Sequence, residues 1–492
     1  MVGPRPGRLG VAALLGALLA LLVPAAALAK APADEASARS AVRGYRRLVD
    51  NVDGLTRLLA LRDLAAHDHP IVVDLALEEF ETRALERYRG VRKLLSAFRA
   101  PETITHLVEN GLEHRDPRVV AQVLLALGEG RPPAELWVPA AEEALDSRHP
   151  EVRAAAAEAL GMARATDRLG RILALASDES TRVRQAIPDA ILRLKPQRAL
   201  GVLEPLSLDD SWRVRVATAR ALGEHRSRKA TALLIDMLAR EEGRVREDVL
   251  VELRELTKQD FGLHVDAWQR FLERAPPDFL NGDGDGEGGA AVAGGSVVYY
   301  GLVSLTKRFV LVTDLSGSMS THERGGYRMR KDGTRLEITQ AEMEQLLEGM
   351  DSSVAINLLT FTSDVRRWSK RLVPLNAKGK KKALAELASY RADGSTNVFG
   401  ALEACFDMAE ESLDAPQLED ATPDTIFLLT DGAPSAGALQ DVNLILEYVA
   451  ERNRELMLRI HCIALATDPV SREFMSRIAR LTTGEYVNPL DG

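Results

Sequence analysis

Residues 309 to 320 read FVLVTDLSGSMS, an apolar run that ends at an aspartate and a serine-rich turn. The run has the length and composition of a buried β-strand, and the turn groups Asp314, Ser316 and Ser318 in a D-x-S-x-S pattern. A carboxylate and two hydroxyls at a strand end are the oxygen ligands that a hard divalent cation prefers. Serine-rich turns also follow strands in proteins without a metal, so the surrounding segments decide what this turn means.

Strand-like and helical segments alternate from about Val297 to the end of the chain. Alternation of this kind predicts a parallel sheet covered by helices on both faces, an α/β doubly wound (Rossmann-like) domain over residues 297–492. Ligands of such sheets bind at the carboxyl ends of the strands, where the strand order reverses. The predicted strands are RFVLVT, VAINLLTF, DTIFLLT and LRIHCIALA, and the predicted helices lie between them.

Three segments are predicted to meet at that edge of the sheet. Beside the D-x-S-x-S turn, DGSTN at residues 393–397 precedes a helix, and TDG at 430–432 directly follows a strand. Taken singly, GSTN is an ordinary helix N-cap and TDG an ordinary turn. Their order and placement predict one site for Mg²⁺, with Mn²⁺ and Ca²⁺ as alternatives, whereas zinc would prefer His or Cys. The predicted oxygen donors are Asp314, Ser316, Ser318, Thr396 and Asp431.

This arrangement resembles the metal-ion-dependent adhesion site of the von Willebrand factor type A family, over roughly residues 297–492. The resemblance implies that the hydroxyls of Ser316, Ser318 and Thr396 ligate the ion, Thr396 either always or only in the ligand-bound form. It implies that Asp314 and Asp431 bind it directly or through water. It also implies that an acidic side chain of a partner protein completes the coordination.

The segment after the serine-rich turn departs from integrin-type members of that family. Those members carry further acidic residues for an adjacent regulatory ion, whereas this chain has MSTHE at residues 319–323, which puts such an ion in doubt. The polar stretch HERGGYRMRKDGTR, residues 322–335, begins within this segment and is expected to form a hairpin-like excursion. Arg324, Tyr327 and Arg328 are its candidates for contact with a partner, and a solvated loop is the alternative.

A second pattern organises the first half of the chain. Val152, Val183, Val214 and Val245 are each 31 residues apart in similar segments, and Val119 and Val72 mark earlier copies. Alanine three and seven residues after the valine, with a large apolar residue at the eighth, predicts an amphipathic helix that a neighbouring helix approaches closely. Stacked copies bury a continuous core, so residues 30–280 are predicted to form an α-solenoid.

These segments resemble HEAT-type repeats, and an unrelated helical bundle is the alternative. Pro188 breaks the pattern and is expected to kink or break its helix. No aromatic or basic stripe marks a ligand face, so the array is expected either to present a surface to a protein or to hold another domain. The complete chain is therefore predicted to be multidomain, with the α-solenoid first and the α/β domain second.

Two further segments are predicted to lie outside both domains. Residues 1–29 have a basic start, a short apolar core and an A-x-A cleavage signal, which is typical of a signal peptide and of an exported protein of bacterial type. An uncleaved anchor is the alternative, and no other stretch reaches membrane-spanning length. Residues 281–296 are predicted to be a flexible acidic linker. Its acidic residues resemble the start of an EF-hand calcium loop, but the twelfth position, which should be Glu, is Gly294.

Composition narrows the classes of partner. A net charge of −9 argues against nucleic acid as a partner, since binding to a phosphate backbone needs a basic surface. The lysines at residues 378–382 are expected to form the solvated start of a helix. The two cysteines, Cys405 and Cys462, lie in a helical and a strand pattern, which favours separate buried thiols over a disulfide.

Three functions are compatible with these features. The leading prediction is an exported, non-enzymatic binding or adhesion protein that captures a carboxylate of a protein partner through its metal. The alternative is an assembly or maturation factor that works with an AAA+ ATPase or a metal-insertion system. An enzyme is the third class, with His322 or Glu323 as a base, but the chain has no nucleophile elbow, phosphate loop or paired general acid and base.

Overall fold

The computed structural model describes most of the chain between residues 34 and 491. The predicted signal segment, Asp283 to Gly294 of the linker and the partner-contact candidates Arg324, Tyr327 and Arg328 lie outside the described residues. Those described are 34–49, 54–82, 84–194, 196–276, 279–281, 297–323, 332–413, 415–466 and 468–491. Within them, no helix combines the length and the apolar composition needed to cross a membrane.

The first half of the chain is an array of helices, as predicted. The helices are α1 (Glu35–Val49), α2 (Gly54–Asp63), α3 (Pro70–Glu81), α4 (Leu85–Ser96), α5 (Pro101–Gly111), α6 (Pro117–Gly130), α7 (Val138–Glu143), α8 (Pro150–Met162), α9 (Leu169–Ala174), α10 (Thr181–Leu194), α11 (Pro196–Leu206), α12 (Trp212–His225), α13 (Arg228–Arg240), α14 (Gly243–Thr257) and α15 (Val265–Arg274). One continuous apolar core runs through them from Ala38 to Trp268.

The valines that marked the repeats occupy equivalent places in the structure. Each is the third residue of its helix and is buried: Val72 in α3, Val119 in α6, Val152 in α8, Val183 in α10, Val214 in α12 and Val245 in α14. The predicted close approach at the alanines is also present. A Cβ on Gly128 would lie 2.7 Å from the Cα of Ala159, and one on Gly161 would lie 2.8 Å from the Cα of Ala190. Neighbouring repeats therefore pack backbone against backbone.

Pro188 does not break its helix, contrary to one of the two outcomes expected. Helix α10 runs unbroken from Thr181 to Leu194 with Pro188 inside it. Proline removes one helical hydrogen bond. The adjacent Ile187, Ala190 and Ile191 are almost fully buried, so packing of this face against the neighbouring repeats offsets that loss.

A ladder of arginines ties each repeat to the next. Arg153 pairs with Asp178 at 2.8 Å and Arg184 with Asp209 at 2.7 Å, and each also donates to a backbone carbonyl six residues before it. Each arginine follows its marker valine directly, so the contacts repeat with the 31-residue period. Bidentate pairs of this kind fix the angle between neighbouring repeats.

The second half is built on one sheet. Its strand order is β11-β10-β9-β3-β6-β7, with β8 also paired to β6, and two small hairpins lie beside it. The strands are β1 (Val297–Tyr299), β2 (Leu302–Ser304), β3 (Arg308–Asp314), β4 (His322–Glu323), β5 (Gly333–Thr334), β6 (Ala355–Phe361), β7 (Val365–Arg367), β8 (Val373–Pro374), β9 (Thr425–Thr430), β10 (Arg459–Ala464) and β11 (Tyr486–Val487).

The central strands β3, β6, β9, β10 and β11 are parallel, as predicted, but the β7 edge is antiparallel. Only residues 362–364 separate β6 from β7, which is too short for a crossover, so the chain turns back as a hairpin. The order of the strands reverses between β3 and β9, because β6 lies on one side of β3 and β9 on the other. This reversal is the point at which a ligand site is expected.

Helices cover both faces of the sheet. They are α16 (Arg335–Gly349), α17 (Ala377–Leu387), α18 (Val398–Glu410), α19 (Val442–Leu456) and α20 (Pro469–Leu481). Phe309 and Leu311 of β3 pack with α16 and α17, whereas Val310 and Val312 pack with α18, α19 and α20. The alternation along β3 therefore divides the core into two layers, which confirms the doubly wound architecture.

Two smaller predictions are also confirmed. Cys405 and Cys462 are separate, buried thiols, and burial raises the pKa of each above its ordinary range. The lysines at 378–382 lie in the first turns of α17, and most are exposed to solvent.

The array contacts the α/β domain through a second ladder of arginines, which corrects the expectation that the array carries no basic stripe. Arg182, Arg213 and Arg244 each stand directly before a marker valine and reach the C-terminal end of α19 or the residues near it. Arg213 is fully buried and donates to the carbonyls of Leu456 and Ala409, both at 3.2 Å. The array therefore holds the amino-end edge of the sheet, opposite the edge where β3 and β9 end.

Candidate metal centre

The three predicted loops meet at the carboxyl ends of β3 and β9. Asp314 ends β3, and Asp431 directly follows β9, its neighbour in the sheet. The loop that carries Thr396 is bound to the serine-rich turn by two backbone hydrogen bonds. Gly317 N–H donates to the carbonyl of Gly394 at 3.0 Å, and Asp393 N–H donates to that of Leu315 at 2.7 Å. The fold thus brings distant stretches of the sequence to one place.

A chain of oxygen atoms joins the first loop to the third. The hydroxyls of Ser316 and Ser318 are 3.0 Å apart, and the Ser318 hydroxyl donates to Oδ1 of Asp431 at 2.7 Å. Ser316 is buried, and the Asp431 side chain is fully enclosed. These three side chains, predicted together from the sequence, are therefore in direct contact.

Asp314 is buried beside this chain of oxygens. It is fully buried and accepts the N–H of Ser316 at 2.7 Å on Oδ1 and the hydroxyl of Thr430 at 2.5 Å on Oδ2. Burial raises the pKa of Asp314 to about 6, against the lowering effect of hydrogen bonds from Ser316 and Thr430. No basic side chain of the described residues forms an ion pair with it. The fold thus keeps a buried carboxyl group whose charge is stabilised by hydrogen bonds and, among the described residues, by no basic side chain.

Thr396 is positioned by its backbone. Its N–H donates to the hydroxyl of Ser435 at 3.0 Å, and its carbonyl accepts the N–H of Ser435 at 2.9 Å. The next residue, Asn397, caps α18 through the N–H of Gly400. Thr396 is buried at the start of this helix, between the loop after β9 and the serine-rich turn. Ser435 therefore links the second predicted loop to the third.

Beside the site lie Arg335, which was not predicted to be part of it, and Glu323, which was considered only as a base. Arg335, the first residue of α16, donates to Oδ2 of Asp431 at 2.9 Å and to Oε1 of Glu323 at 2.7 Å. The sequence carried one indirect signal, the T-x-x-E capping box of Thr334 and Glu337, which fixes the start of this helix. Glu323 is paired with Arg335, so it is neither a free base nor a free ligand for an adjacent ion.

The donor set fits a hard divalent cation. In the described part of the chain, no cluster of three or more His, Cys, Asp and Glu side chains is arranged to hold a metal. The oxygen donors available to a cation at this edge are the hydroxyls of Ser316 and Ser318 together with Asp314 and Asp431. Buried carboxylates need compensating charge, and carboxylate and hydroxyl oxygens are donors that suit Mg²⁺.

Comparison with family models assigns a part of each half of the chain. The model of the von Willebrand factor type A domain matches residues 309–433, which contain all five predicted ligands. The model of HEAT repeats matches residues 138–215 and 169–254, which cover helices α7 to α13 and most of α14. The predicted resemblances to the von Willebrand factor type A domain and to HEAT repeats are therefore confirmed for these residues.

The curated relatives match a limited part of the chain. Human inter-alpha-trypsin inhibitor heavy chain H4 is 28% identical over 203 residues, which cover 38% of this chain and 20% of the relative. Human inter-alpha-trypsin inhibitor heavy chain H3 is 24% identical over 181 residues, 34% of this chain and 19% of the relative. The chain thus spans about a fifth of the length of these relatives.

Among solved structures, a von Willebrand factor type A protein from Catenulispora acidiphila is 14% identical, covers 38% of this chain and 39% of its own, and has a TM-score of 0.29. The conserved hypothetical protein BatB from Bacteroides thetaiotaomicron is 15% identical, covers 37% of this chain and 88% of its own, and has a TM-score of 0.26. The assignment rests on the family models and on the sheet described above. The chain contains a von Willebrand factor type A domain, and HEAT repeats precede it.

Proposed function

We propose that this chain is an exported, non-enzymatic binding protein that captures an acidic group of a protein partner through a divalent cation. The observation that carries the proposal is the contact of Ser316, Ser318 and Asp431 above the buried Asp314. In the proposal, residues 30–280 form the repeat domain, 281–296 the linker and 297–492 the binding domain. The cation, Mg²⁺ or alternatively Mn²⁺ or Ca²⁺, would be held by these four residues and Thr396.

The charges at the site support a partner that supplies a carboxylate. Hydroxyl ligands do not neutralise a divalent cation, and the charge of Asp431 is shared with Arg335. A bound cation would supply an electrophilic centre that accepts an oxygen ligand from outside the chain. Asp314 would orient the Ser316 loop beneath it, because the carboxylate accepts the backbone N–H of Ser316. A carboxylate is the incoming ligand that best satisfies the remaining charge.

The contacts of the helical array support a role as a scaffold that holds the α/β domain. Arginines from successive repeats hold the far edge of the domain, which leaves the metal-site edge facing away from the array. Of the two roles expected for the array, holding another domain is therefore the one with contacts in its favour. Binding of a protein to the outer face of the array, the other expected role, would be compatible with this scaffold role.

Export is the part of the proposal that rests on sequence alone. Residues 1–29 have the pattern of a signal peptide, and their presence argues against a cytoplasmic ATPase as the partner. The curated relatives named above are heavy chains of an inhibitor, which supports a role in binding.

The metal step is tested with the full chain and Mg²⁺ in an isothermal titration. We expect one site in the wild type, strongly weakened binding in Ser318→Ala and none in Asp314→Ala. Ser320→Ala is the matched control, because Ser320 is exposed nearby and donates only to the carbonyl of Gly317. Absence of Mg²⁺, Mn²⁺ and Ca²⁺ binding by the folded wild type would contradict the proposal.

The partner step is tested by capture from an extract with and without EDTA. The wild type should retain a protein that Asp314→Ala does not retain. Asp364→Ala, the control at an exposed carboxylate in the loop after β6, should retain it as well. Loss of that protein in EDTA and its return with Mg²⁺ would separate metal-dependent capture from adhesion to another surface. A partner retained equally by all variants and in EDTA would show that the site is not the binding surface.

A further inference from the structure

Arg335 joins the candidate metal site to a second acidic residue. Its guanidinium donates from Nη1 to Oδ2 of Asp431 at 2.9 Å, and from Nε and Nη2 to Oε1 of Glu323 at 2.9 and 2.7 Å. The arginine side chain is 11% exposed and that of Asp431 is fully buried. A cation of the protein itself is thus fixed directly behind a predicted ligand of the metal.

The backbone of Arg335 is also held in place. Arg335 begins α16 after the N-cap Thr334, whose hydroxyl accepts the N–H of Glu337 while the Glu337 carboxylate accepts that of Thr334. The N–H of Arg335 itself donates to the carbonyl of Thr321, three residues after Ser318. Helix start, hairpin and serine-rich turn therefore form one unit. With its backbone fixed, the guanidinium is held between Asp431 and Glu323.

The two oxygens of Asp431 have different partners as a result. Oδ1 accepts the hydroxyl of Ser318 and faces the chain of donors, whereas Oδ2 accepts Arg335 and faces away from them. Asp431 can therefore offer one oxygen to the site, directly or through water. Its charge acts on the site together with the opposite charge of Arg335 and the more distant charge of Glu323.

We propose that Arg335 and Glu323 set the cation affinity of this site in opposite directions, Arg335 lowering it and Glu323 raising it. The inference rests on the proposed function, because it needs a cation at Asp314 and Asp431. A fixed positive charge behind a ligand repels a divalent cation, and burial strengthens that repulsion. The arginine thus prevents Asp431 from binding the cation as a free carboxylate would. More of the cation's charge is then left for an incoming carboxylate to compensate.

The formal charges give an ordered series of variants. Asp314, Asp431, Glu323 and Arg335 together carry −2 in the wild type, which becomes −3 in Arg335→Gln and −1 in Glu323→Gln. The double variant returns to −2. We expect Mg²⁺ affinity to rise roughly tenfold in Arg335→Gln and to fall by a smaller factor in Glu323→Gln. Affinity in the double variant should lie between those of the two single variants.

The experiment measures Mg²⁺ affinity of the full chain by isothermal titration for the wild type, both single variants and the double variant. Arg335→Lys is the control for charge, because it keeps a cation near Asp431 but cannot bridge two carboxylates. Its affinity should stay nearer to that of the wild type than to that of Arg335→Gln. Thermal unfolding in EDTA identifies any variant that is not folded, and Glu323→Gln provides an independent test if Arg335→Gln is unstable.

The outcomes separate this inference from the proposed function. If the folded wild type binds no divalent cation, the proposed function fails and the inference fails with it. If the wild type binds Mg²⁺ but Arg335→Gln binds it equally or more weakly, Arg335 only positions Asp431, and the inference alone is overturned. An affinity that is unchanged or increased in Glu323→Gln overturns it as well.

Discussion

Nη1 of Arg92, in the fourth helix of the array, lies 2.9 Å from Oε2 of Glu451 in helix α19 of the α/β domain, and both side chains are almost fully buried. Gln122 donates to the other oxygen of Glu451 at 2.7 Å. Burial raises the pKa of Glu451, but Arg92 and Arg454 outweigh it and hold that pKa below its ordinary value. The carboxylate therefore remains charged at neutral pH and joins the two halves of the chain.

Glu451→Ala should destabilise the full chain by about 3 kcal/mol, because it leaves Arg92 in a buried site with Glu129 as its remaining ionic partner. Urea unfolding at neutral pH measures this change. Asp407→Ala is the matched control, since Asp407 is largely exposed and pairs with Arg452 at 2.8 Å, where the expected loss is below about 1 kcal/mol. Equal losses in the two variants would show that burial at the interface does not strengthen the pair.

Arg213→Lys should loosen the domain contact without unfolding the repeats. Arg213 donates to two carbonyls on different elements, at Leu456 and Ala409, and a lysine ammonium cannot reach both in the same geometry. Hydrogen exchange should increase at the ends of α18 and α19 and stay unchanged in α6 and α8. Arg193→Lys, at a half-exposed arginine of α10, is the control. Unchanged exchange around Leu456 would mean that other contacts hold the domain.

The repeats and the alternation of strands and helices were visible in the sequence because both depend on local periodicity. The 31-residue spacing of valines such as Val152 and Val183 reflects one buried helix face per repeat. It can therefore be recognised without knowing which elements pack against that face. The second arginine ladder has the same period. It was missed because Arg213 and Arg244 bind backbone carbonyls of Leu456 and Asp424, and a carbonyl leaves no signal in the sequence.

The main oxygen donors of the candidate site were predictable from the sequence, whereas the residues that position them were not. Asp314 and Asp431 stand directly after apolar strands, so their meeting follows from the parallel sheet and its strand order. The contacts of Thr430, Ser435 and Arg335 depend on rotamers and loop paths that the alternation of elements does not determine. These residues support the predicted donors from behind, where sequence spacing carries little information.

The charge of Glu252 in helix α14 should make stability depend on pH. Burial, and then the neighbouring Glu255, raise the pKa of this partly buried carboxyl to about 8 from an ordinary value of 4.5. The folded state therefore favours the protonated form. Its contribution to stability is complete below pH 4.5 and is lost as the pH rises through about 8.

Glu252→Gln removes this titration. We expect it to raise the free energy of unfolding at pH 8 by about 1 kcal/mol, a value reduced for partial exposure, and to leave it nearly unchanged at pH 4. Urea unfolding at both pH values measures the difference. Glu273→Gln, at an exposed glutamate of α15, should show no such dependence on pH. A gain of the same size at both pH values would assign the effect to packing instead.

Thr430→Val tests whether the hydrogen bond beneath the candidate metal site positions Asp314. The Thr430 hydroxyl donates to Oδ2 of Asp314 at 2.5 Å, and valine has nearly the same shape without a donor. Loss of a partner behind a ligand typically weakens metal binding, so we expect Mg²⁺ affinity of the full chain to fall roughly tenfold. The free energy of unfolding in EDTA should fall by about 1 kcal/mol.

The matched control is Thr313→Val, one residue before Asp314 on β3. Thr313 is equally buried, but its hydroxyl contacts the sulfur of Met343 at 3.5 Å and makes no contact with the site. This variant should keep both the stability and the Mg²⁺ affinity of the wild type, because its hydroxyl lies among apolar residues next to α16 and gives up only a weak contact with sulfur. If both threonine variants bind Mg²⁺ as the wild type does, the Thr430 hydroxyl stabilises the fold alone, and Asp314 is positioned by the N–H of Ser316.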